Sequence, residues 1–179
     1  MANFSSSLSE KHIDFIRAQK VFFVATAPLV GEGFPNLSPK GYDALHVLGP
    51  GRLAYVDLPG SGNQTASHLA QGAPITFMFC GFESQALILR VYGRGCALAP
   101  GTPEFDAVAA KIESSVLSPA TRQIFDITVE KVQTSCGYGV PRYAFQGDRP
   151  TLVKYYDKAE REGKLAEVVE HYSRPQENV

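Results

Sequence analysis

The 179-residue sequence has no tryptophan, only two methionines and three cysteines, and almost no net charge. Seventeen lysine and arginine residues stand against 18 aspartate and glutamate residues, which gives a net charge of −1. The strongly basic composition that favours nucleic acids or anionic membrane surfaces is therefore absent. No apolar run reaches the roughly 20 residues of a membrane-spanning helix. We expect a protein that binds neither nucleic acid nor membrane.

The cysteines and the N-terminus together predict a cytoplasmic location. Cys80, Cys96 and Cys136 are odd in number and far apart, and they form no C-x-x-C pair. They also show no metal-ligand spacing with the four histidines. The N-terminal segment lacks the basic start and apolar core of a secretory signal. We expect reduced thiols and no metal site.

The length and composition suit a single domain. Hydrophobic residues make up 44% and charged residues 20% of the chain, as in ordinary globular proteins. The sequence shows no internal repeat and no linker, so residues 1–179 are predicted to form one domain. It should comprise an N-terminal helix at about 8–19, a barrel at about 20–135 and a helical tail at about 150–172.

Helix signals lie mainly at the ends of the chain. Ser7-Leu8-Ser9-Glu10 fits a capping box, which predicts a helix over roughly 9–19. Thr102 followed by proline predicts another helix over 102–116. The C-terminal tail has helical apolar spacing, with an interruption predicted at Gly163.

Strand patterns dominate the middle of the chain. About six strands are predicted, at 21–27, 36–48 with a break near Pro39, 53–58, 74–82, 86–98 and 124–135. Several are joined by tight turns, which is typical of antiparallel pairing. The predicted fold class is mainly β with peripheral helices, built on an antiparallel barrel.

The segment LPGSGNQTASHL at residues 58–69 is either a turn or an anion site. Its two glycines allow a ligand to approach the backbone, and Ser61, Asn63 and Thr65 offer hydrogen-bonding side chains. Free N–H groups of the following helix would point to the same place. The segment is not a Walker A loop, and Thr65 replaces the third glycine of G-x-G-x-x-G. The alternative is an N-capped helix after a glycine turn.

Two strands carry further candidate ligand groups. Asn36, Ser38 and Lys40 share one face because side chains alternate along a strand, and they suit the polar edge of a planar ligand. Arg90 and Arg94 share a face of a later strand, where they could bind an acidic group or a partner subunit. A solvated surface is the alternative in both cases.

The order of these motifs resembles the pyridoxamine 5′-phosphate oxidase-like family of FMN-binding split barrels. The similar stretches are VFFVATA, GFPNLSPKGYD, RLAYVDLPGSGNQTASHL, ITFMFCGFE and LRVYGRG, over about residues 15–100, with CGYGVP near 136–141. The pairing of SPKG with GSGNQTASHL is fairly specific. The resemblance implies a six-stranded antiparallel split barrel that forms a homodimer, with one FMN in each of two clefts between the subunits.

The resemblance also implies which residues bind the cofactor. One strand would line the isoalloxazine and ribityl groups, another would lie beneath the cofactor, and the glycine loop would hold the phosphate. The first strand contributes Asn36, Leu37, Ser38, Pro39 and Lys40. The second strand contributes Tyr55, Val56 and Asp57, and the loop contributes Ser61, Gly62, Asn63, Gln64 and Thr65. Lys40, Arg90 and Arg94 are the candidates for a catalytic role.

The sequence departs from the family pattern in two places. Gln64-Thr65 stands where the oxidase has an Arg-Lys pair on the phosphate, and the oxidase's C-terminal segment with a tryptophan, an arginine and a histidine is missing. We therefore expect an oxidoreductase that acts on an unidentified small substrate with a reduced nicotinamide or similar donor, and not the oxidase reaction itself. The alternatives are a non-catalytic flavin- or haem-binding module, with His68 as a candidate ligand, and the deazaflavin F420 instead of FMN.

Overall fold

The computed structural model describes residues 2–31 and 33–173, and the rest of the predicted 1–179 domain lies outside this part. The elements in chain order are β1 (Asn3–Ser5), α1 (Glu10–Ala18), β2 (Phe22–Thr26), β3 (Asn36–Lys40), β4 (Leu45–Gly49), β5 (Arg52–Asp57), α2 (Gln64–Ala70), β6 (Ile75–Cys80), β7 (Leu87–Leu98), α3 (Pro103–Ala109), β8 (Gln123–Cys136), α4 (Thr151–Arg161) and α5 (Leu165–Ser173).

The strands form one antiparallel sheet in the order β3-β2-β6-β7-β8-β5-β4, and β1 pairs with β8. The prediction of a mainly antiparallel fold is confirmed, but the count of six strands is wrong, because the described residues contribute eight strands to the sheet, including the unpredicted β1. The stretch at 36–48 forms two strands, and Tyr42, with a φ of 56°, lies in the turn between them. Between described residues no ladder joins β3 to β4, so the barrel is not closed.

Side-chain packing spans this gap. The inner face of β2 meets that of β5 where the rings of Phe22 and Tyr55 pack edge to face, with centroids 5.7 Å apart. Phe125 of β8 stacks on Tyr55 at 5.4 Å, and Phe77 of β6 lies 6.3 Å from both Phe22 and Tyr55. These buried rings join the two halves of the sheet through one core.

The polar face of β3 continues the core-facing side of the sheet. In the antiparallel register Lys40 is opposite Phe22, and Asn36 is opposite Thr26. Residues directly opposite each other in neighbouring strands project to the same face. The side chains of Asn36, Ser38 and Lys40 therefore extend the inner face beyond its apolar part, as the alternation predicted.

The helices confirm the predicted pattern with two corrections. The predicted capping box at Ser7–Glu10 is wrong, because Ser9 caps α1 and exchanges hydrogen bonds with His12. The third helix ends at Ala109, earlier than predicted, although Val116 is still buried. Gly163, with a φ of 69°, separates α4 from α5. Across the described ranges, no helix has both the length and the apolar character needed to cross a membrane.

The close approach of β7 to β8 at Gly95 gives a test of the fold. A methyl group at Gly95 would overlap the carbonyl oxygen of Asp126. We expect Gly95→Ala to lower the free energy of unfolding by about 1–3 kcal/mol, the usual cost of overpacking. Chemical denaturation measures this. Gly51→Ala is the control, since nothing lies within 4 Å of the added methyl group, and equal stability of the two variants would contradict the close approach.

Candidate functional site

Most of the predicted cofactor residues meet in one cleft of about 470 Å³. Its walls are the inner face of β3, the end of β5, the loop at 58–63, the start of α2 and the start of β8. The lining residues are Asn36, Ser38, Lys40, Asp57, Leu58, Gly60, Ser61, Gly62, Asn63, Gln64, Thr65 and Arg122. The structure thus brings the SPKG strand and the glycine loop together, as the sequence predicted.

Four predicted residues do not line this cleft. Leu37 and Pro39 lie on the opposite face of β3, where the side chain of Leu37 is 64% exposed. Tyr55 and Val56 are buried in the core. The hydroxyl group of Tyr55 donates a hydrogen bond to Oδ1 of Asp57, which lines the cleft, at 3.3 Å.

A buried ion pair forms the floor of the cleft. Arg122, the residue just before β8, places Nε 2.9 Å and Nη2 2.8 Å from Oδ2 of Asp57. Both side chains are almost fully buried, so neither charge is screened by water. Arg122 also donates from Nη2 to the carbonyl of Gly62 at 3.1 Å and from Nη1 to the carbonyl of Tyr172 at 2.7 Å. Its guanidinium group is therefore fixed in place.

The first residue of β8, Gln123, also holds the glycine loop. Nε2 of Gln123 donates to Oδ2 of Asp57 and to Oδ1 of Asn63, each at 2.8 Å. Asn63 is the N-cap residue of α2, yet its side chain makes no capping hydrogen bond. A helix with Asn63 as its N-cap does follow the glycine turn, as the alternative interpretation of this segment expected. The side chain of Asn63 instead fixes the loop to the floor of the cleft.

Hydrogen bonds also connect β3 to α2 across the cleft. The Oγ hydroxyl of Ser38 donates to Oδ1 of Asn36 at 3.2 Å. Nδ2 of Asn36 donates to Oγ1 of Thr65 at 3.2 Å. These contacts orient both polar residues of β3 and keep the two walls at a fixed distance.

Lys40 supplies a charge that the chain itself does not neutralise. Within the described part of the chain, its ammonium group makes no hydrogen bond and no ion pair. Burial lowers the pKa of Lys40, while nearby Asp57 raises it and Arg122 lowers it. Because the charges of Asp57 and Arg122 cancel, Lys40 leaves the cleft with an excess positive charge. The arrangement suits an anionic group.

Sequence reasoning missed Arg122 and Gln123. Neither belongs to a motif. Arg122 lines the cleft and Gln123 contacts Asp57 because β8 pairs with β5 in a register that puts Gln123 opposite Asp57. The residues Thr121-Arg122-Gln123 match no known motif, so the sequence alone does not indicate that Arg122 and Gln123 contact Asp57. The cations of the cleft come from β3 and β8, while the start of α2 contributes the uncharged Gln64 and Thr65.

Arg90, Arg94 and His68 lie away from the cleft lining. Arg90 and Arg94 are on the outer face of β7, where Nε of Arg94 is 3.4 Å from a carboxylate oxygen of Glu130. His68 is buried, and its Nδ1 shares a hydrogen bond of 2.8 Å with Oγ1 of Thr26. Burial lowers the pKa of this imidazole. The structure therefore offers no support for His68 as a haem ligand.

A larger cavity lies elsewhere in the molecule. It has a volume of about 960 Å³ and lies between α1, the β6–β7 turn and residues 143–146. Its walls include the aromatic rings of Phe15, Phe82, Tyr143 and Phe145, and it shares no residue with the polar cleft. In the described ranges no group of three or more His, Cys, Asp or Glu residues could hold a metal ion.

Comparison with known proteins identifies the family. The family model described as pyridoxamine 5′-phosphate oxidase matches residues 8–136. The chain is 33% identical over 181 residues to the pyridoxamine 5′-phosphate oxidase family protein ustO of Aspergillus flavus, a match that covers 93% of this chain and 72% of ustO.

Two solved structures have a similar fold. One is a candidate pyridoxamine 5′-phosphate oxidase from Lactobacillus delbrueckii, with 18% identity and a TM-score of 0.54, covering 72% of this chain and 94% of that one. The other is an FMN-binding protein from Syntrophomonas wolfei, with 16% identity and a TM-score of 0.50, covering 69% of this chain and 82% of that one.

The family match ends at the end of β8 and leaves α4 and α5 outside it. The family model spans most of the chain, and ustO is 33% identical to the chain. The chain therefore belongs to the pyridoxamine 5′-phosphate oxidase family.

Proposed function

We propose that the protein is a flavoprotein that binds FMN in the cleft between β3 and the loop at 58–63. The observation that carries the proposal is the ammonium group of Lys40. Among the described residues it has no ion-pair partner, because the nearby Asp57 is paired with Arg122. A phosphate dianion would supply that charge through charge-assisted hydrogen bonds. Membership of the family and the similar fold of the FMN-binding protein from Syntrophomonas wolfei support a flavin as the ligand.

The residues of the cleft fit the polar parts of FMN. The resemblance implies a place for Lys40 beside the ring and ribityl groups, but its unneutralised charge suits the phosphate better. The Ser61 hydroxyl and the Lys40 ammonium would therefore hold the phosphate, while Asn36 and Ser38 offer donors and acceptors to the ribityl chain and the ring edge. The cleft volume of about 470 Å³ lies within the usual range for small-molecule sites. A bound flavin would supply hydride and electron transfer. The chain would bind it, orient it and keep a positive charge beside it.

The activity that best agrees with this cleft is that of an oxidoreductase. We propose that it acts on a small substrate with a reduced nicotinamide or similar donor, and that family membership is the support for this reaction class. The uncharged Gln64-Thr65 pair and the absence of tryptophan set the chain apart from pyridoxamine 5′-phosphate oxidase itself. The three free cysteines are compatible with the cytoplasmic location that we also propose.

We also propose a homodimer with the cofactor clefts at the interface. The outer face of the sheet carries the half-buried side chains of Met78 and Ile88 and the exposed Leu37. A small barrel has only one interior, so a second apolar face needs a covering partner. Arg90 and Arg94 lie on this outer face. In the dimer these arginines would contact an acidic substrate only if it lay in the cleft of the opposite subunit.

Replacement of Lys40 tests the anion site. We expect Lys40→Met to weaken FMN binding about 10- to 100-fold, because a hydrogen bond to a charged group contributes about 1.5–3 kcal/mol. The affinity for riboflavin, which lacks the phosphate, should change little. Quenching of flavin fluorescence measures both dissociation constants. Lys154→Met, which removes an exposed lysine of α4, is the control, and equal FMN affinity of Lys40→Met and wild type would contradict the proposal.

The pH dependence of binding gives an independent test of Lys40. Because burial lowers its pKa, the ammonium group loses its proton at a lower pH than a free lysine, whose pKa is 10.5. The phosphate stays dianionic above about pH 7, so FMN affinity should decline as alkaline pH removes the cation. Lys40→Arg stays charged and should hold its affinity to higher pH. Identical pH profiles for the two proteins would exclude Lys40 as the titrating group.

Charge on the outer face should disrupt the dimer. We expect wild type to have twice the monomer mass by light scattering at micromolar concentration. Leu37→Glu should shift the protein to monomer, because the residue opposite it in β2 is Ala25 and a carboxylate in an apolar interface would lack a partner there. Lys154→Glu makes a comparable change on exposed α4 and should leave the mass unchanged. A monomeric wild type would refute the dimer.

A further inference from the structure

The C-terminal helices are tied to the glycine loop of the cleft. Tyr156 of α4 donates its hydroxyl hydrogen to the carbonyl oxygen of Pro59, at the beginning of the loop. At the end of the loop Arg122 joins the loop backbone to α5, because it also donates to the carbonyl of Tyr172. The loop at 58–63 is therefore held at both ends by groups that α4 and α5 contact.

Tyr156 does not line the cleft, so its role is indirect. Its side chain is buried, with 6% of the residue exposed. Burial is also the main cause that raises the pKa of its hydroxyl group, which stays protonated and able to donate. A buried hydroxyl without an acceptor is unfavourable, so the contact with Pro59 fixes both groups.

The loop needs such support. Its two glycines have wide conformational freedom, and an added methyl group at Gly60 would meet nothing within 4 Å. A free loop of this kind would have to be ordered when a ligand binds, and that cost would weaken binding. Contacts that order the loop beforehand remove the cost.

We propose that Tyr156 is a positioning residue for the FMN phosphate, and that α4, outside the family match at 8–136, completes the phosphate site. The inference rests on the proposed function. Tyr156 holds Pro59, and the loop thereby keeps Ser61 in the cleft that Lys40 also lines. Asn36 and Ser38 of β3, which would face the rest of the ligand, do not depend on this contact. The effect should therefore concern the phosphate alone.

Comparison of FMN with riboflavin tests this role. Tyr156→Phe keeps the ring and removes only the hydroxyl group. We expect its affinity for FMN to fall about 5- to 10-fold, the usual effect of one lost hydrogen bond, while its affinity for riboflavin stays within about twofold. Tyr138→Phe is the matched control, since Tyr138 is 86% exposed, and it should bind both flavins like wild type.

Hydrogen exchange on the flavin-free protein supplies a second measurement. The amides of residues 60–63 should exchange faster in Tyr156→Phe than in wild type, while those of β6 keep their protection. Unchanged exchange in the loop, or equal weakening of FMN and riboflavin binding, would overturn the positioning role. A wild type that binds neither flavin would contradict the proposed function instead. The exchange rates would then still show whether Tyr156 orders the loop.

Discussion

The buried ion pair between Asp57 and Arg122 fixes the geometry on which the candidate site depends. A charge inside a protein is tolerated only when it is paired and hydrogen-bonded, and here both groups are satisfied. The carboxylate of Asp57 accepts from Arg122 and Gln123, while Arg122 also binds the carbonyls of Gly62 and Tyr172. One guanidinium group thus joins the end of β5, the start of β8, the glycine loop and α5.

The same pairing decides the electrostatics of the cleft. Because Asp57 and Arg122 neutralise each other, the charge of Lys40 is left for a ligand. Burial makes that charge costly in the absence of an anion, as the lowered pKa of Lys40 indicates. Binding of a phosphate group would relieve this cost, so the proposed site would favour an anion although the whole chain carries a net charge of −1.

Local patterns predicted much of the fold and one wall of the site. Strand alternation placed Asn36, Ser38 and Lys40 on one face, and the structure confirms it. The missing parts depend on pairing between distant segments. Arg122 reaches the cleft through the register of β8 on β5, which no local pattern encodes. The strand count was wrong because β1 was not predicted and because the turn at Tyr42 divides residues 36–48 into β3 and β4, at opposite edges of the sheet.

The most direct test of flavin binding is the visible absorption spectrum of the purified protein, followed by mass analysis of any chromophore released on denaturation. Our account predicts the two absorption bands of an oxidised flavin and release of one FMN per chain. A Soret band would indicate haem instead. A colourless protein that also takes up no added FMN would contradict the account and leave the cleft around Lys40 without its proposed ligand.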